Sequence, residues 1–154
     1  MDLFVGIDPG GTNGVAVASP RYHNHDRLDL WKHTLQGYTL PREVCYLIRD
    51  LKPKVIWMER RASHSFSSAG LQPFEEFFAT LPLLGYSLCQ VSIPTYPTHP
   101  IFVLLSPGLW KPFVKAQKLE YGLWGPNSDH EQDAMGILYY GMTLAFPDWK
   151  VSFV

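Results

Sequence analysis

Residues 4–18, FVGIDPGGTNGVAVA, constrain this chain more than any other stretch. Two apolar runs of strand length flank a glycine-rich turn, which is the pattern of a β-hairpin. Asn13-Gly14 supplies the positive-φ positions that a tight turn needs. One carboxylate, Asp8, interrupts the apolar run where the first strand ends. A charged side chain there stands at the rim of a sheet, beside a backbone with little side-chain cover, where a metal ion or a phosphate can approach. The competing reading is local: Asp-Pro-Gly-Gly is also a turn signal, and Asp8 then only shapes the turn. The hairpin by itself leaves the two readings level.

The following segments extend the sheet. Ser19 to Asp26 reads as a polar turn, and Leu28 to Leu35 alternates apolar and polar residues as a third strand with one wet face. Three strands joined by short turns make an antiparallel meander. Pro41 to Leu51 carries Val44, Leu47, Ile48 and Leu51 at helical spacing, with Pro41 at a first helical position and Lys52-Pro53 at the end. Val55-Ile56-Trp57-Met58-Glu59 is nearly all apolar and follows a helix, the pattern of a buried strand parallel to the first. It too closes on an acid. If the two strands are neighbours, Asp8 and Glu59 stand side by side at one edge of the sheet. The plainer alternative pairs Glu59 with Arg60 or Arg61. An acid after four apolar residues is a costly place for a merely solvated charge, which favours function.

Arg60 to Ser68 is polar and basic, a loop whose Arg60 and Arg61 are placed to meet a phosphate backbone or simply solvent. Phe74, Phe77, Phe78 and Leu81 fit one helix face, core or dimer surface, with Pro82 kinking or restarting the helix. Tyr86 to Ile93 fits either a continuing helix or a strand. A proline-rich connector, Pro94 to Pro100, leads to the apolar strand Ile101 to Leu105. The helix opened by Ser106-Pro107 carries Lys111, Lys115 and Lys118 along one side, a spacing that also suits a plain wet face. Asp129 starts the last clear helix. Asp129 and Glu131 suit its first turn, where acids favour the helix dipole. Asp133 lies one turn in, just before an apolar stretch, and His130 is three residues earlier on the same face.

A chain of 154 residues with 46 % apolar content fits one domain spanning residues 1–154 with a proper core. The net charge of −1 does not advertise nucleic acid, so any DNA contact must come from a local basic patch or a bound metal. Cys45 and Cys89 lack metal-ligand spacing and read as reduced thiols. With neither a signal peptide nor an apolar run long enough to span a membrane, the expected place is the cytoplasm, or the host cytoplasm for a phage or viral protein.

The order of strands and helices, with acids closing strands one and four and a third acid entering from the final helix, resembles the RNase H-like nuclease fold. The expected form is a five-stranded mixed sheet with an N-terminal antiparallel meander and helices on both faces. Within that fold the chain is most similar to the RuvC family of Holliday-junction resolvases. The match is carried by Gly6-Ile7-Asp8-Pro9-Gly10, the strand-end Glu59, Lys111 in Pro107-Gly108-Leu109-Trp110-Lys111, and His130-x-x-Asp133-Ala134. The resemblance implies a catalytic and metal-binding set of Asp8, Glu59, His130 and Asp133, with Asp129 as the alternative to His130. It implies two Mg²⁺ ions per site, Mn²⁺ substituting, and phosphodiester hydrolysis. It implies phosphate contacts from Arg60, Arg61, Lys111 and Lys115. It further implies a homodimer acting on four-way junction DNA. The segment after Glu59 departs from the family, in which an aromatic that wedges the junction follows that acid closely; His64 and Phe66 are the substitutes at hand, at a different distance.

Two other classes compete. GIDPGGTNG also looks like the phosphate hairpin of actin-like sugar kinases, but those need two such domains, a second glycine-rich loop and an adenosine pocket. A non-catalytic DNA-binding or scaffold protein on the same fold would be signalled by loss of an acid, and the acids are present.

Overall fold

The computed structural model describes residues 2–9, 13–23, 27–38, 42–60, 68–89, 98–117, 129–148 and 150–153. The strands are β1 (Phe4–Asp8), β2 (Asn13–His23), β3 (Arg27–Tyr38), β4 (Val55–Glu59), β5 (Ser87–Cys89), β6 (Ile101–Leu105) and β7 (Lys150–Phe153). The helices are α1 (Arg42–Leu51), α2 (Ser68–Thr80), α3 (Pro107–Ala116) and α4 (Asp129–Ala145).

Strands that are apolar on both faces need cover on both, and this determines the layering. β1 and β4 are buried at every position and pair in parallel, from Phe4 opposite Val55 to Ile7 opposite Met58. β1 also pairs antiparallel with β2, and β2 with β3, which is the expected meander. Alternation sends Phe4, Ala16, Trp57 and Val103 to one face, where α3 and α4 cover them. Val5, Ile7, Ile56, Met58 and Phe102 go to the other, under α1 and α2. Phe4 stacks on Trp57 with ring centroids 5.9 Å apart and meets Phe146 edge-on, so aromatic packing ties β1, β4 and the end of α4 together.

The sheet runs β5-β6-β4-β1-β2-β3-β7 and has seven strands, not the five expected. One addition, β5, lies in the stretch whose periodicity suited helix or strand; it pairs parallel to β6. The other is β7, which pairs parallel to β3. The polar turn expected over 19–26 is shorter: β2 continues to His23 and pairs β3 down to Arg27. Backbone hydrogen bonds hold such a ribbon regardless of side-chain polarity. Pro20 fits it because the ladder with β1 ends where Phe4 meets Ala18, so β2 beyond that pair has a partner on one side only.

The breaks fall where local chemistry places them. The amide of Lys52, held at φ 49°, donates to the Ile48 carbonyl and Pro53 follows, so α1 stops. α2 begins at Ser68, earlier than the apolar spacing indicated, and Pro82 restarts the chain as a 3-10 turn over Leu81–Leu84. No helix among the described residues is long and apolar enough to cross a membrane.

Candidate active site

The site begins with two strand ends. Ile7 and Met58 are the last ladder partners of β1 and β4, and the next residue on each strand is an acid, Asp8 and Glu59. Neighbouring strands run about 4.8 Å apart, and residues level with one another point to the same face. Asp8 follows Phe4 and Gly6 in the alternation, and Glu59 follows Val55 and Trp57, so both carboxylates face α3 and α4. Both are buried, Asp8 to 1 % exposure and Glu59 to 6 %. Two like charges about 5 Å apart repel by roughly 3 kcal/mol at an effective dielectric near 20. The fold therefore has to bring positive charge or hydrogen-bond donors to them.

Each helix on that face delivers one. His130, in the first turn of α4, lies 2.8 Å through Nδ1 from Asp8 Oδ2. A carboxylate oxygen can only accept, so Nδ1 carries the proton, and the lone pair of the neutral ring is at Nε2. Lys111 of α3 lies 3.8 Å through Nζ from Glu59 Oε1. The Lys111 side chain is 54 % exposed, so this second pair is weak and readily exchanged.

Gly14 explains how His130 comes so close. It pairs with Asp8 across the hairpin and lies directly beneath the first turn of α4. A Cβ at position 14 would stand 2.1 Å from the His130 carbonyl oxygen. The Asn-Gly signal that announced a turn thus also marks the point where helix backbone rests on strand backbone. Farther along α4, Gly141 admits the Trp57 ring in the same way, 2.2 Å from where its Cβ would be.

The remaining expected residues are distributed unevenly. Asp133 is half-buried, one turn along α4 from His130. Arg60 is exposed, and its amide donates to the Leu105 carbonyl at 2.7 Å, fixing the chain as it leaves β4. Lys115 is exposed one turn beyond Lys111 on α3. Arg61, Lys118, His64, Phe66 and the hairpin tip Gly10–Thr12 lie outside the described residues, as does the Asp129 side chain. Sequence spacing placed Glu131 among the solvated first-turn acids, yet it is buried to 5 %. The hydrogen bond from His130 to Asp8 and the approach of Lys111 to Glu59 were also not legible, because contacts across 122 and 52 positions leave no local periodicity.

Among the described residues no three His, Cys, Asp or Glu side chains gather as a metal-holding group. The fit to a divalent ion rests on the pair that does come together. Asp8 and Glu59 offer adjacent carboxylate oxygens, the donors that Mg²⁺ takes, at a position where negative charge is crowded.

No protein-family model matches the chain, and no curated protein sequence does. Solved structures do match. Thermus thermophilus RuvC superposes with a TM-score of 0.54 at 17 % identity, over 93 % of this chain and 98 % of that one. The same protein in complex with Holliday junction substrate gives 0.54 at 17 % identity, over 94 % and 98 %. The yeast mitochondrial Holliday junction resolvase Ydc2 gives 0.50 at 15 % identity, over 92 % and 78 %. The likeness is one of fold. This chain has the RNase H-like fold in the form that RuvC takes, as its motifs led us to expect.

Proposed function

We propose that this chain is a DNA endonuclease that resolves four-way junctions as a homodimer, using divalent metal ions. The observation that supports it most is the convergence at one strand edge: buried Asp8 and Glu59 side by side, with His130 on Asp8 from a helix 122 positions away. The shared fold adds to it, since the Thermus protein of that fold was solved with a Holliday junction substrate.

Asp8, Glu59 and Asp133 would hold two Mg²⁺ ions, with Mn²⁺ able to replace them. Bound there, such ions supply a nucleophilic water and relieve charge at the phosphorus and leaving oxygen. Asp8 has two tasks: it would share in holding the ions, and its Oδ2 fixes the tautomer of His130. With Nδ1 committed, Nε2 is the atom that takes a proton from the attacking water. Lys111 neutralises Glu59 in the resting protein and moves to a phosphate oxygen when a strand arrives, which its exposure permits. Arg60 and Lys115 add positive charge beside the strand path, and Arg61 belongs to the same basic loop. A two-fold homodimer would set two such sites on opposed strands of a junction with matching symmetry.

The test uses labelled four-way junctions, linear duplex and flaps, each with Mg²⁺ and with EDTA. Symmetric nicks confined to the junction and abolished by EDTA support the proposal. Cleavage of every substrate reduces it to a general nuclease, and no cleavage of any overturns it.

A further inference from the structure

On the opposite face of the sheet, α1 runs from the acid end of the strands back to the start of β4 and carries cations that the proposed chemistry does not use. Arg42, Tyr46 and Arg49 lie on one exposed stripe, its ends seven positions apart. Both guanidinium groups sit over the Tyr46 ring, Arg42 at 5.8 Å and Arg49 at 4.8 Å from its centroid. Lys52 continues the row just past the helix, in the left-handed conformation that stops it. At about 1.5 Å of rise per residue, the backbone positions of the three cations span roughly 15 Å, and the two guanidinium groups are gathered at Tyr46 within that span. A line of that length suits a run of phosphates better than one isolated anion.

The row borders a cavity of about 230 Å³ lined by Ile48, Arg49, Lys52, Leu84, Tyr86 and Pro100. Its floor is apolar and its cations stand on one side. The Tyr86 hydroxyl donates to the Pro53 carbonyl, which holds the ring as a fixed wall. Sites that enclose a drug-sized ligand whole measure about 300–1,000 Å³, so this one has room for a single ring system. Aromatic or apolar slots beside a cationic track are how proteins hold unpaired strands.

We propose that α1 and this cavity form a second nucleic-acid site, which binds a single-stranded DNA segment with phosphates along Arg42, Arg49 and Lys52 and one unpaired base in the cavity. The site goes beyond the nuclease reading and does not depend on it. Glu43 and Asp50, exposed on the same helix, confine the attraction to the stripe and keep α1 from being a uniformly basic surface.

The test is fluorescence anisotropy with a labelled oligo-dT of about a dozen nucleotides, titrated against the full chain at several salt concentrations. The double variant Arg49→Ala, Lys52→Ala is expected to bind at least tenfold more weakly. The slope of log K against log salt should fall by about 1.4, because each phosphate contact on a single strand contributes about 0.7. Binding within twofold of the parent, at an unchanged slope, overturns the proposal. In the parent protein, an oligonucleotide carrying 5-bromodeoxyuridine is expected to photo-cross-link to residues 42–52 or 81–89. Cross-links confined to the strand-end acids and α3 overturn it, whether or not the double variant folds. Junction nicking by the same variant reads the other site: unchanged nicking alongside lost oligonucleotide binding separates the two, and absence of nicking in the parent refutes only the nuclease reading.

Discussion

A methyl group added at position 14 tests whether the seat of α4 on the hairpin sets the reactive geometry. The Cβ of Gly14→Ala would meet the His130 carbonyl oxygen at 2.1 Å, where ordinary contact begins at 3.4 Å. The shortfall is 1.3 Å, and both contacting atoms are backbone, so no side chain can swing aside to relieve it. The first turn of α4 must retreat by about that much. Added to the 2.8 Å between His130 Nδ1 and Asp8 Oδ2, this takes the pair to about 4 Å, past hydrogen-bonding range. Misplacing a reacting group by about 1 Å can cost on the order of 10²-fold in rate. Overpacking costs roughly 1–3 kcal/mol, or a melting temperature lower by about 2–12 °C for a chain of this size. The assay is single-turnover junction nicking well below the lower melting temperature, alongside thermal denaturation. Gly141→Ala is the control: its Cβ meets the Trp57 ring at 2.2 Å, but eleven residues further along α4. It should lose similar stability and lose no more than about tenfold in rate. Nicking by Gly14→Ala within threefold of the parent refutes the reasoning, and so does an equal loss of rate in both variants.

Other perturbations address the acids, the imidazole and the far wall of the sheet. Asp8→Asn should leave junction binding intact and lower cleavage by about 10²–10⁴-fold, the span carried by acid–base and electrostatic groups, read by gel shift and nicking on one preparation. His130→Ala should reduce cleavage by about 10²-fold or more at neutral pH while leaving affinity for the junction within a fewfold, read in the same two assays. Tyr86→Phe removes the donor to the Pro53 carbonyl and should cost about 1–3 kcal/mol by chemical denaturation. Burial pushes the Tyr86 hydroxyl up to about 12. A group with a raised folded-state value stabilises fully below its unfolded value near 10, and that contribution fades as pH climbs through 12. Stability of the parent should therefore fall between pH 10 and 12 more steeply than that of Tyr86→Phe, measured by denaturant midpoint at each pH.

Legibility in the sequence followed the range of each interaction. β1, β4 and β6 were readable because short, mostly apolar runs of strand length need no distant information. The acids that close β1 and β4 stood out because four buried neighbours make a carboxylate conspicuous. Parallel pairing of β1 with β4 followed from an intervening helix, and that pairing alone places Asp8 beside Glu59. The edge strands were less visible: β5 is three residues long and β7 four, and each is defined by the strand it joins more than by its own pattern. The outer half of the β2–β3 ribbon was hidden because backbone pairing held polar residues that resemble a turn. The face shared by His130 and Asp133 was legible from helical spacing, whereas the choice of His130 as the group on Asp8 depended on how deeply α4 settles over Gly14.

The bond between Asp8 and His130 joins positions 122 residues apart. A nascent chain therefore adds 122 residues after the first acid before the imidazole emerges to meet it. The proposed active site is thus completed only after β1 to β6 have been made. Because His130 stands in the first turn of α4, local fraying of that turn alone would part the pair without unfolding the sheet. Under the proposed function, chain order alone would keep the protein from cutting DNA until the imidazole is in place.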